Sequence, residues 1–470
     1  MSQSSVSLTV RQPRRTRTPT PLPTVDCLQQ LNLHAAGVDV GAAEIWVAVP
    51  AGRSAEAVRV FGTFTMDLQA IADWLEACGV ETVAMESTGI YWIPLYEILE
   101  ARGLAVQLVN AKQVKNVTGR KSDLLDCQWI QQLHTYGLLS ASFRPPEEIC
   151  ALRSLVRHRE TLLQARAVHI QHMQKALHLM NLQLTNVLTD ITGQTGLQII
   201  RAIVAGEHDP HVLARYRHVC CAKSEADIAK ALEGHYKSEH LFVLQQALEL
   251  YDVYSEKVAA CDAQIEQCYT AFESQVDPAQ PPLPPAPRKR RSKNTPTFDL
   301  RHQLYQLTGV DLTAIDGIDV LTAQTIVAEV GLDMSRWPTV KHFASWLGLA
   351  PQHDMSGGKL LRQRTKRTQN RAATALRLAA QSVSRSQSAV GAFYRRIRAK
   401  HGPAKAVTAT AHKLARIIYT MLRDRTPYHD LGADYYDDQA KQRAINNLKR
   451  RAKQLGLEVV PAPGSATEVS

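Results

Sequence analysis

A hairpin pattern near the start of the chain constrains the fold most strongly. The stretch from His34 to Val49, HAAGVDVGAAEIWVAV, has two apolar runs on either side of GAAE, which is typical of two strands joined by a tight turn. Asp39 interrupts the first apolar run. A carboxylate on a buried strand must be paired, hydrogen-bonded, metal-bound or neutralised, so Asp39 predicts a role beyond packing.

Strand and helix patterns alternate after this hairpin up to about residue 145. FGTFT, ETVAMES and AVQLVN have the composition of strands, and three amphipathic stretches between and after them each end at a glycine: MDLQAIADWLEACG, YWIPLYEILEARG and KSDLLDCQWIQQLHTYG. A starting hairpin followed by alternating helices and strands predicts an α/β domain with a mixed sheet over residues 33–145.

The remainder of the chain changes character. Residues 146–275 hold two long amphipathic helical stretches, which indicate an antiparallel hairpin or a dimerising coiled coil. Residues 276–298 are proline-rich and then basic, which predicts a linker or an exposed insertion. A mostly α-helical domain is expected over 299–430, a basic helical tail with a disordered end over 431–470, and a disordered basic N-terminus over 1–32.

The charge balance indicates a polyanionic partner. The net charge is +11 and the pI is about 9.2, which favours nucleic acid first and an anionic membrane second. No apolar run reaches the roughly 20 residues of a membrane helix, and the N-terminus lacks the apolar core of a secretory signal. Eight cysteines without a C-x-x-C pair argue against a zinc site or a disulfide scaffold, so we expect a cytoplasmic protein.

Four carboxylates form a candidate metal site. Glu86 ends the strand ETVAMES, and Asp123 and Asp126 are three residues apart at the start of a helix, on one face. Together with Asp39 they are predicted to converge at one edge of the sheet and to bind two Mg²⁺ ions about 4 Å apart, as in phosphoryl transfer. The set indicates an RNase H-like nuclease fold, although an acidic pair at a helix start and a glutamate before a turn also occur without a ligand role.

A second candidate site lies in the C-terminal domain. Ser356 precedes Gly357-Gly358 in APQHDMSGGKLLRQRTKR, where it is either a nucleophile for a phosphodiester or a turn residue. Upstream, LTAIDGIDVLTAQTIVAEVG is typical of a helix-hairpin-helix, but Asp319 replaces its second glycine, so a phosphate-binding and a structural role both stay open. The residues predicted to bind nucleic acid are Lys112, Lys115, Arg120, Lys121, Lys359, Arg362, Arg364, Lys366 and Arg367.

Five motifs in this order resemble a known family. GVDVGAAEIWVAV, AMESTGIYWIPLYEIL, VNAKQVKNVTGRKSDLLDCQWIQQL, LTAIDGIDVLTAQTIVAEVG and FASWLGLAPQHDMSGGK are similar to the motifs of DEDD transposases of bacterial insertion sequences, the IS110 family and its IS1111 subgroup. The resemblance spans roughly residues 33–425. Met355 departs from the family pattern, which often has a second small polar residue there.

The resemblance implies a more detailed function than the residues alone. It implies an N-terminal RuvC-like domain in which Asp39, Glu86, Asp123 and Asp126 bind Mg²⁺, then a coiled coil, then a transposase domain in which Ser356 becomes covalently joined to DNA. It further implies a homo-oligomer, a dimer that becomes a tetramer at synapsis, with catalytic parts that meet across protomers. The partners would be the element ends and target DNA, together with a structured guide RNA from the element, in a bacterial cell near the nucleoid.

Three alternatives follow from the same residues. A site-specific DNA invertase of the same fold would act on a fixed flanking segment. A RuvC-like nuclease or junction resolvase would cleave DNA without a protein–DNA adduct, and Ser356 would then be only a turn residue. A non-catalytic nucleic-acid-binding regulator would leave Asp39 unexplained.

Overall fold

The computed structural model describes residues 29–87, 89–110, 123–277, 282–285, 292–366 and 368–460. The chain divides into two compact units, Met1–Arg144 and Pro145–Ser470.

The first unit is built on a five-stranded mixed sheet. Its order is β3-β2-β1-β4-β5, in which β2 runs antiparallel to both of its neighbours, β1 and β3, while β4 and β5 run parallel to β1. The predicted hairpin and mixed sheet are therefore confirmed. The strands are β1 Ala35–Val40, β2 Ile45–Ala48, β3 Val58–Phe61, β4 Thr82–Glu86 and β5 Ala105–Val109.

Helices cover both faces of this sheet. Helices α1 (Thr65–Ala77) and α2 (Trp92–Ala101) pack on one face, where Val38, Val83 and Met85 belong to a large apolar core. Helix α3 (Asp123–Thr135) packs on the other face, where Ile130 contacts a smaller core containing Ala84 and Val109. Because strand side chains alternate between faces, the residues between those of the large core face α3.

The predicted third strand was placed a few residues too late. The sequence FGTFT was expected to be a strand, but the strand ends at Phe61. Immediately afterwards the amide of Phe64 donates to the Asp67 carboxylate (3.1 Å), which satisfies a free backbone group at the start of α1. The capping aspartate therefore begins the helix where apolar composition alone suggested a strand.

The second unit begins with a pair of long antiparallel helices. Helix α4 (Glu147–Leu179) packs along α9 (Ser238–Thr270) within the same chain, so the antiparallel hairpin is the arrangement observed here. Arg159 and Asp262 form a buried ion pair between them, and further along the pair Arg166 contacts Ser255 (3.5 Å). At the far end of the pair an extensive apolar core gathers four short helices, α5 Leu184–Val187, α6 Gln194–Val204, α7 Pro210–Ala214 and α8 Glu225–Ala231.

The C-terminal part of this unit is mostly helical, as expected. Its core surrounds Tyr419, whose ring lies 5.5 Å from that of Phe343 and whose hydroxyl donates to the Trp337 carbonyl (2.7 Å). Arg157 on α4 binds the Glu329 carboxylate through two nitrogens (2.8 and 2.7 Å), which connects the helix pair to this core. The helices are α10 Leu300–Thr308, α11 Val320–Val330, α12 Val340–Trp346, α13 Arg371–Ser382, α14 Ala389–His401, α15 Pro403–Asp424 and α16 Gly432–Gln454.

A two-stranded hairpin within this helical region was not predicted. Strands β6 (Pro351–Ser356) and β7 (Lys359–Thr365) pair antiparallel, with an irregularity between Asp354 and Met355. Every residue of β6 is exposed, so the hairpin has no apolar face against a core. Apolar and polar residues alternate along a strand that buries one of its faces. A hairpin that buries neither face therefore shows no such alternation in the sequence.

The end of the proline-rich segment is packed rather than free. Asn294 accepts hydrogen bonds from Arg159, through its carbonyl (2.7 Å), and from Arg166, through its side chain (2.9 Å). Lys293 forms an ion pair with Asp190. Residues 278–281 and 286–291, which include most of the basic run Arg288–Lys293, lie outside the described residues.

Candidate active site

Two of the predicted acids lie at equivalent positions on neighbouring parallel strands. In the β1–β4 pairing Val38 is opposite Met85, so Asp39 and Glu86 follow one position later, at the carboxyl ends of both strands. Adjacent strands are about 4.8 Å apart, and residues in register point to the same face. Glu86 is buried, whereas Asp39 is half-buried and thus less enclosed than its apolar neighbours suggested.

Helix α3 brings the third acid to the same face. It runs antiparallel to β1, because the Gln131 side chain donates to the carbonyl of Ala35 (3.3 Å) while the backbone of Cys127 lies against Gly37. The N-terminal end of α3 is therefore near Asp39. Asp126 precedes Cys127 and Asp123 lies one turn earlier; the side chain of Asp123 is outside the described part of the chain.

Gly37 allows this close approach, and sequence analysis did not single it out. A Cβ at Gly37 would come within 3 Å of the Gln131 amide nitrogen and the Cys127 carbonyl oxygen, both of them backbone atoms. A glycine inside a strand is itself the sequence signal for such an approach of another backbone. Gly37 thus sets the distance between α3 and the strand that carries Asp39.

The pKa of Cys127 is influenced by two of the acids at once. Burial, together with the smaller influence of the negative charges of Asp39 and Asp126, raises the pKa of the Cys127 thiol to about 12. One thiol therefore senses carboxylates from β1 and from α3. This common influence agrees with the convergence expected from the strand register.

The donor set fits a divalent cation by its chemistry. Carboxylate oxygens are the ligands that hard cations such as Mg²⁺ prefer, and Asp39, Glu86 and Asp126 supply them from three elements at one end of the sheet. Among the described side chains, no three His, Cys, Asp or Glu residues already form a closed metal-binding group. The fourth predicted ligand, the carboxylate of Asp123, is not among those side chains.

Ser356 lies at the tip of the β6–β7 hairpin. It pairs with Lys359 across a turn made by Gly357 and Gly358, which have φ values of +54° and +77°. Such values favour glycine, so the Gly-Gly pair is explained by the turn. The Ser356 hydroxyl is exposed and has no hydrogen-bond partner within the described residues.

Strand β7 carries the predicted phosphate-binding cations. Lys359, Arg362 and Arg364 lie on it and Lys366 follows it, and all four are exposed. A hairpin tip that presents a serine beside several cations can place a hydroxyl against a polyanionic backbone. The predicted nucleic-acid-binding residues that lie outside the described residues are Lys112, Lys115, Arg120, Lys121 and Arg367.

The predicted helix-hairpin-helix has a structural turn at its centre. Its first helix is only a 3-10 turn, Leu312–Ala314, and Gly317 (φ +88°) packs against the backbone of Ala379 on α13. The Asp319 carboxylate accepts the Thr322 amide hydrogen (2.8 Å) and so caps α11 itself. An acid already occupies the position where a phosphate would bind, which favours the structural alternative.

Comparisons with known proteins match two regions of the chain to transposase families. Residues 36–182 match a DEDD-type IS110 family described as "Transposase", and residues 311–395 match the "Transposase IS116/IS110/IS902 family". An insertion element IS110 uncharacterized 43.6 kDa protein of Streptomyces coelicolor is 34% identical over 122 residues. That alignment covers 25% of this chain and 29% of the relative, so it spans less than a third of that protein.

These matches include Asp39, Glu86, Asp123 and Asp126 in the first range and Ser356 in the second. The DEDD-type match indicates the use of a divalent metal ion. In the described part of the chain, no helix is long and apolar enough to cross a membrane. The chain carries two domains of the kind found in IS110 transposases, enzymes that cleave and rejoin DNA.

Proposed function

We propose that this protein is an insertion-sequence transposase that cuts and rejoins DNA to excise and insert its own element. The observation that carries the proposal is the position of Asp39 and Glu86 at the ends of two adjacent parallel strands, on the face where α3 brings Asp126. Three hard-oxygen donors on rigid elements suit phosphodiester chemistry better than a binding role alone.

The acids would hold two Mg²⁺ ions, with Asp123 as the fourth ligand residue. Bound there, the metal would supply Lewis-acid stabilisation of charge on the scissile phosphate. The task of the protein is to hold the carboxylates in position without reorganisation. The buried Glu86 and the contact of α3 with Gly37 support this task, because both depend on the core of the sheet.

Ser356 would be the nucleophile. Its Oγ would form a bond to phosphorus as the bond to the 3′ oxygen breaks, and the proton lost by the serine would balance the proton gained by the released 3′-hydroxyl. A 3′-hydroxyl would later attack the phosphoserine, restore the phosphodiester and release the serine. Lys359, Arg362 and Arg364 would neutralise the DNA backbone beside it.

We further propose that recognition uses a structured guide RNA from the element and that the active species is a homo-oligomer. The net charge of +11 supports a large polyanionic partner. Base pairing would then read the sequence, and protein cations would hold both backbones. The same proposal assigns the protein to the bacterial cytoplasm, at the nucleoid.

A covalent-adduct assay tests this mechanism. Purified protein would be mixed with Mg²⁺, labelled element-junction DNA and RNA transcribed from the non-coding end of the element, and then run on a denaturing gel. We expect labelled DNA to migrate with the protein, to do so only with the RNA, and to be lost in Ser356→Ala. The matched control is Ser335→Ala, another serine of the same unit in a 3-10 turn, which should retain the adduct.

A RuvC-like nuclease without serine chemistry is the second candidate. The exposure of Ser356, and its lack of a hydrogen-bonded base within the described residues, favours this candidate, because a serine nucleophile needs activation. Cleavage of the junction DNA in wild type and Ser356→Ala alike, without an adduct, would establish the nuclease and reject the serine mechanism.

A further inference from the structure

The last helix, α16, has two halves of different character. Its first half is anchored to the C-terminal core: the Tyr436 ring stands edge-on to Phe393 (6.0 Å), and the Lys413 ammonium lies 4.7 Å from one ring and 4.8 Å from the other. The Ala433 amide donates to the Gln387 carbonyl (3.0 Å). Ala440 is the last buried residue of the helix.

Beyond Ala440 the helix leaves the core. Nearly all positions from 441 to 454 are exposed, over a length of about 20 Å at 1.5 Å per residue. This half, which we call the basic arm (residues 441–454), contains no acidic residue, whereas the first half has three. Its six cations are Lys441, Arg443, Lys449, Arg450, Arg451 and Lys453.

These cations form no ion pair within the described structure. Among the described residues, Arg450 makes only a local hydrogen bond to Asn447 (3.2 Å). By contrast, other arginines of the same unit, such as Arg157 and Arg301, are paired with carboxylates. A rigid helix that carries six uncompensated charges creates a concentrated positive field.

The arm also lies outside the regions that match transposase families, which end at residue 395. Its less polar side carries Ile445, Leu448 and Ala452, spaced three and four residues apart. This side has no aromatic residue, whereas helices that enter a membrane interface carry Trp, Phe and Leu on their apolar face. The composition of the arm therefore suits a phosphate backbone better than a lipid surface.

We propose that the basic arm binds the phosphate backbone of nucleic acid, as a site separate from the acids and from Ser356. This proposal rests on the proposed function for the nature of the polyanion. Anchoring by Tyr436 fixes the direction of the arm, so the core and the arm hold one duplex at two places. The arm contributes affinity without reading sequence, because lysine and arginine contacts to phosphates do not distinguish bases.

The proposal is tested by fluorescence anisotropy. The full chain is titrated, without metal, into a labelled random-sequence duplex. The variant replaces all six cations: Lys441→Gln, Arg443→Gln, Lys449→Gln, Arg450→Gln, Arg451→Gln and Lys453→Gln. The matched control replaces six exposed cations elsewhere in the same unit and lowers the net charge equally: Lys175→Gln, Arg215→Gln, Lys223→Gln, Lys230→Gln, Lys237→Gln and Lys257→Gln.

We expect the arm variant to bind the duplex about tenfold or more weakly at 0.1 M KCl, with a salt dependence shallower by up to about five in log K against log[salt]. The control variant should lose much less affinity for the duplex, and the arm variant should keep the wild-type Tm. A third variant with Lys441→Arg, Lys449→Arg and Lys453→Arg should bind as tightly as wild type.

Two results would overturn the proposal that the basic arm binds nucleic acid. One is equal binding by the arm and control variants; the other is loss of binding to phosphatidylserine vesicles with duplex binding unchanged, which would assign the arm to a membrane. Neither result bears on the proposed catalytic role of the acids. If that role is wrong, wild-type protein will bind the duplex but will not cleave junction DNA.

Discussion

The two candidate catalytic regions are held in opposite ways. Asp39, Glu86 and Asp126 lie on strands and a helix that belong to a packed sheet. Ser356 lies at the tip of a two-stranded hairpin in which every residue of β6 is exposed. Isolated two-stranded hairpins are marginally stable in water, whereas a buried sheet positions its side chains within tight limits.

This difference indicates that the acids are preorganised by the fold and that the serine is not. The acids are set by the core before any substrate arrives, so substitutions near them should change stability and activity together. The serine depends on what binds the hairpin, so substitutions there should change activity or affinity with little effect on global stability. Four predictions test this contrast.

The largest effect is expected from neutralising an acid. Asp39→Asn or Glu86→Gln should lower strand transfer on junction DNA by at least about 10²–10³-fold, because preorganised groups at a reacting phosphate contribute on that scale. Glu44→Gln, an exposed glutamate in the β1–β2 turn, is the matched control. Strand transfer at the wild-type rate in Asp39→Asn would remove the acids from the mechanism.

A pair of glycine substitutions compares the two regions directly. Gly37→Ala should destabilise the first unit by roughly 1–3 kcal/mol in denaturant unfolding, since the new methyl group overlaps the backbone of α3. Gly357→Ala meets no atom within 4 Å and pays only for its positive φ, about 1 kcal/mol, in a hairpin that is not part of the core. Gly193→Ala, with negative φ and its nearest backbone atom at 3.2 Å, should give an intermediate loss of stability. Equal unfolding midpoints for Gly37→Ala and Gly357→Ala would refute the contrast.

A smaller effect is expected from a single hairpin cation. Arg362→Gln should weaken duplex binding a few-fold on every sequence and lower the salt slope by about one, as loss of one phosphate contact does. The unfolding midpoint should not move, because Arg362 is exposed. Anisotropy titrations at several KCl concentrations measure the slope, and a sequence-dependent loss would show that Arg362 reads bases instead.

The smallest effect under working conditions concerns Cys127. Because its pKa is raised from 9.0 to about 12, the folded thiol stays protonated at pH 8 and should resist iodoacetamide, while the exposed Cys220 reacts. The raised pKa contributes stability that is complete below pH 9 and is lost as the pH rises towards 12. Mass spectrometry of alkylated peptides checks the first statement, and rapid modification of Cys127 would mean that α3 opens readily.

The sequence was most informative where burial leaves a periodic pattern. The hairpin from Ala35 to Ala48, the glycine-terminated helices and the two long amphipathic helices all follow from such patterns. The β6–β7 hairpin could not be predicted in this way, since it buries neither face. The third strand was placed too late because the residues after Phe61 lead into α1, where Asp67 accepts a local hydrogen bond that hydrophobic patterns do not contain.

The candidate site was predictable in part. Asp39 and Glu86 were identified from their positions on strands, but their alignment depends on the register between β1 and β4, which no local pattern specifies. The roles of Gly37 and Cys127 depend on how closely α3 approaches β1, a long-range contact. A structural role for the turn around Asp319 was one of two alternatives, and the hydrogen bond from the Thr322 amide to the Asp319 carboxylate favours it.

The anchored proline-rich segment bears on how this chain tolerates change in length. Gln275 donates its amide to Gln306 (2.8 Å) on one side of the segment, and Asn294 is held by Arg159 and Arg166 on the other. The segment between these two residues therefore begins and ends at anchored points of the same folded unit. Doubling such a loop costs only about 0.6 kcal/mol in closure entropy. Insertions, tags or whole peptide modules placed there should leave the rest of the second unit folded, which makes this segment the natural point for fusing new parts to the protein.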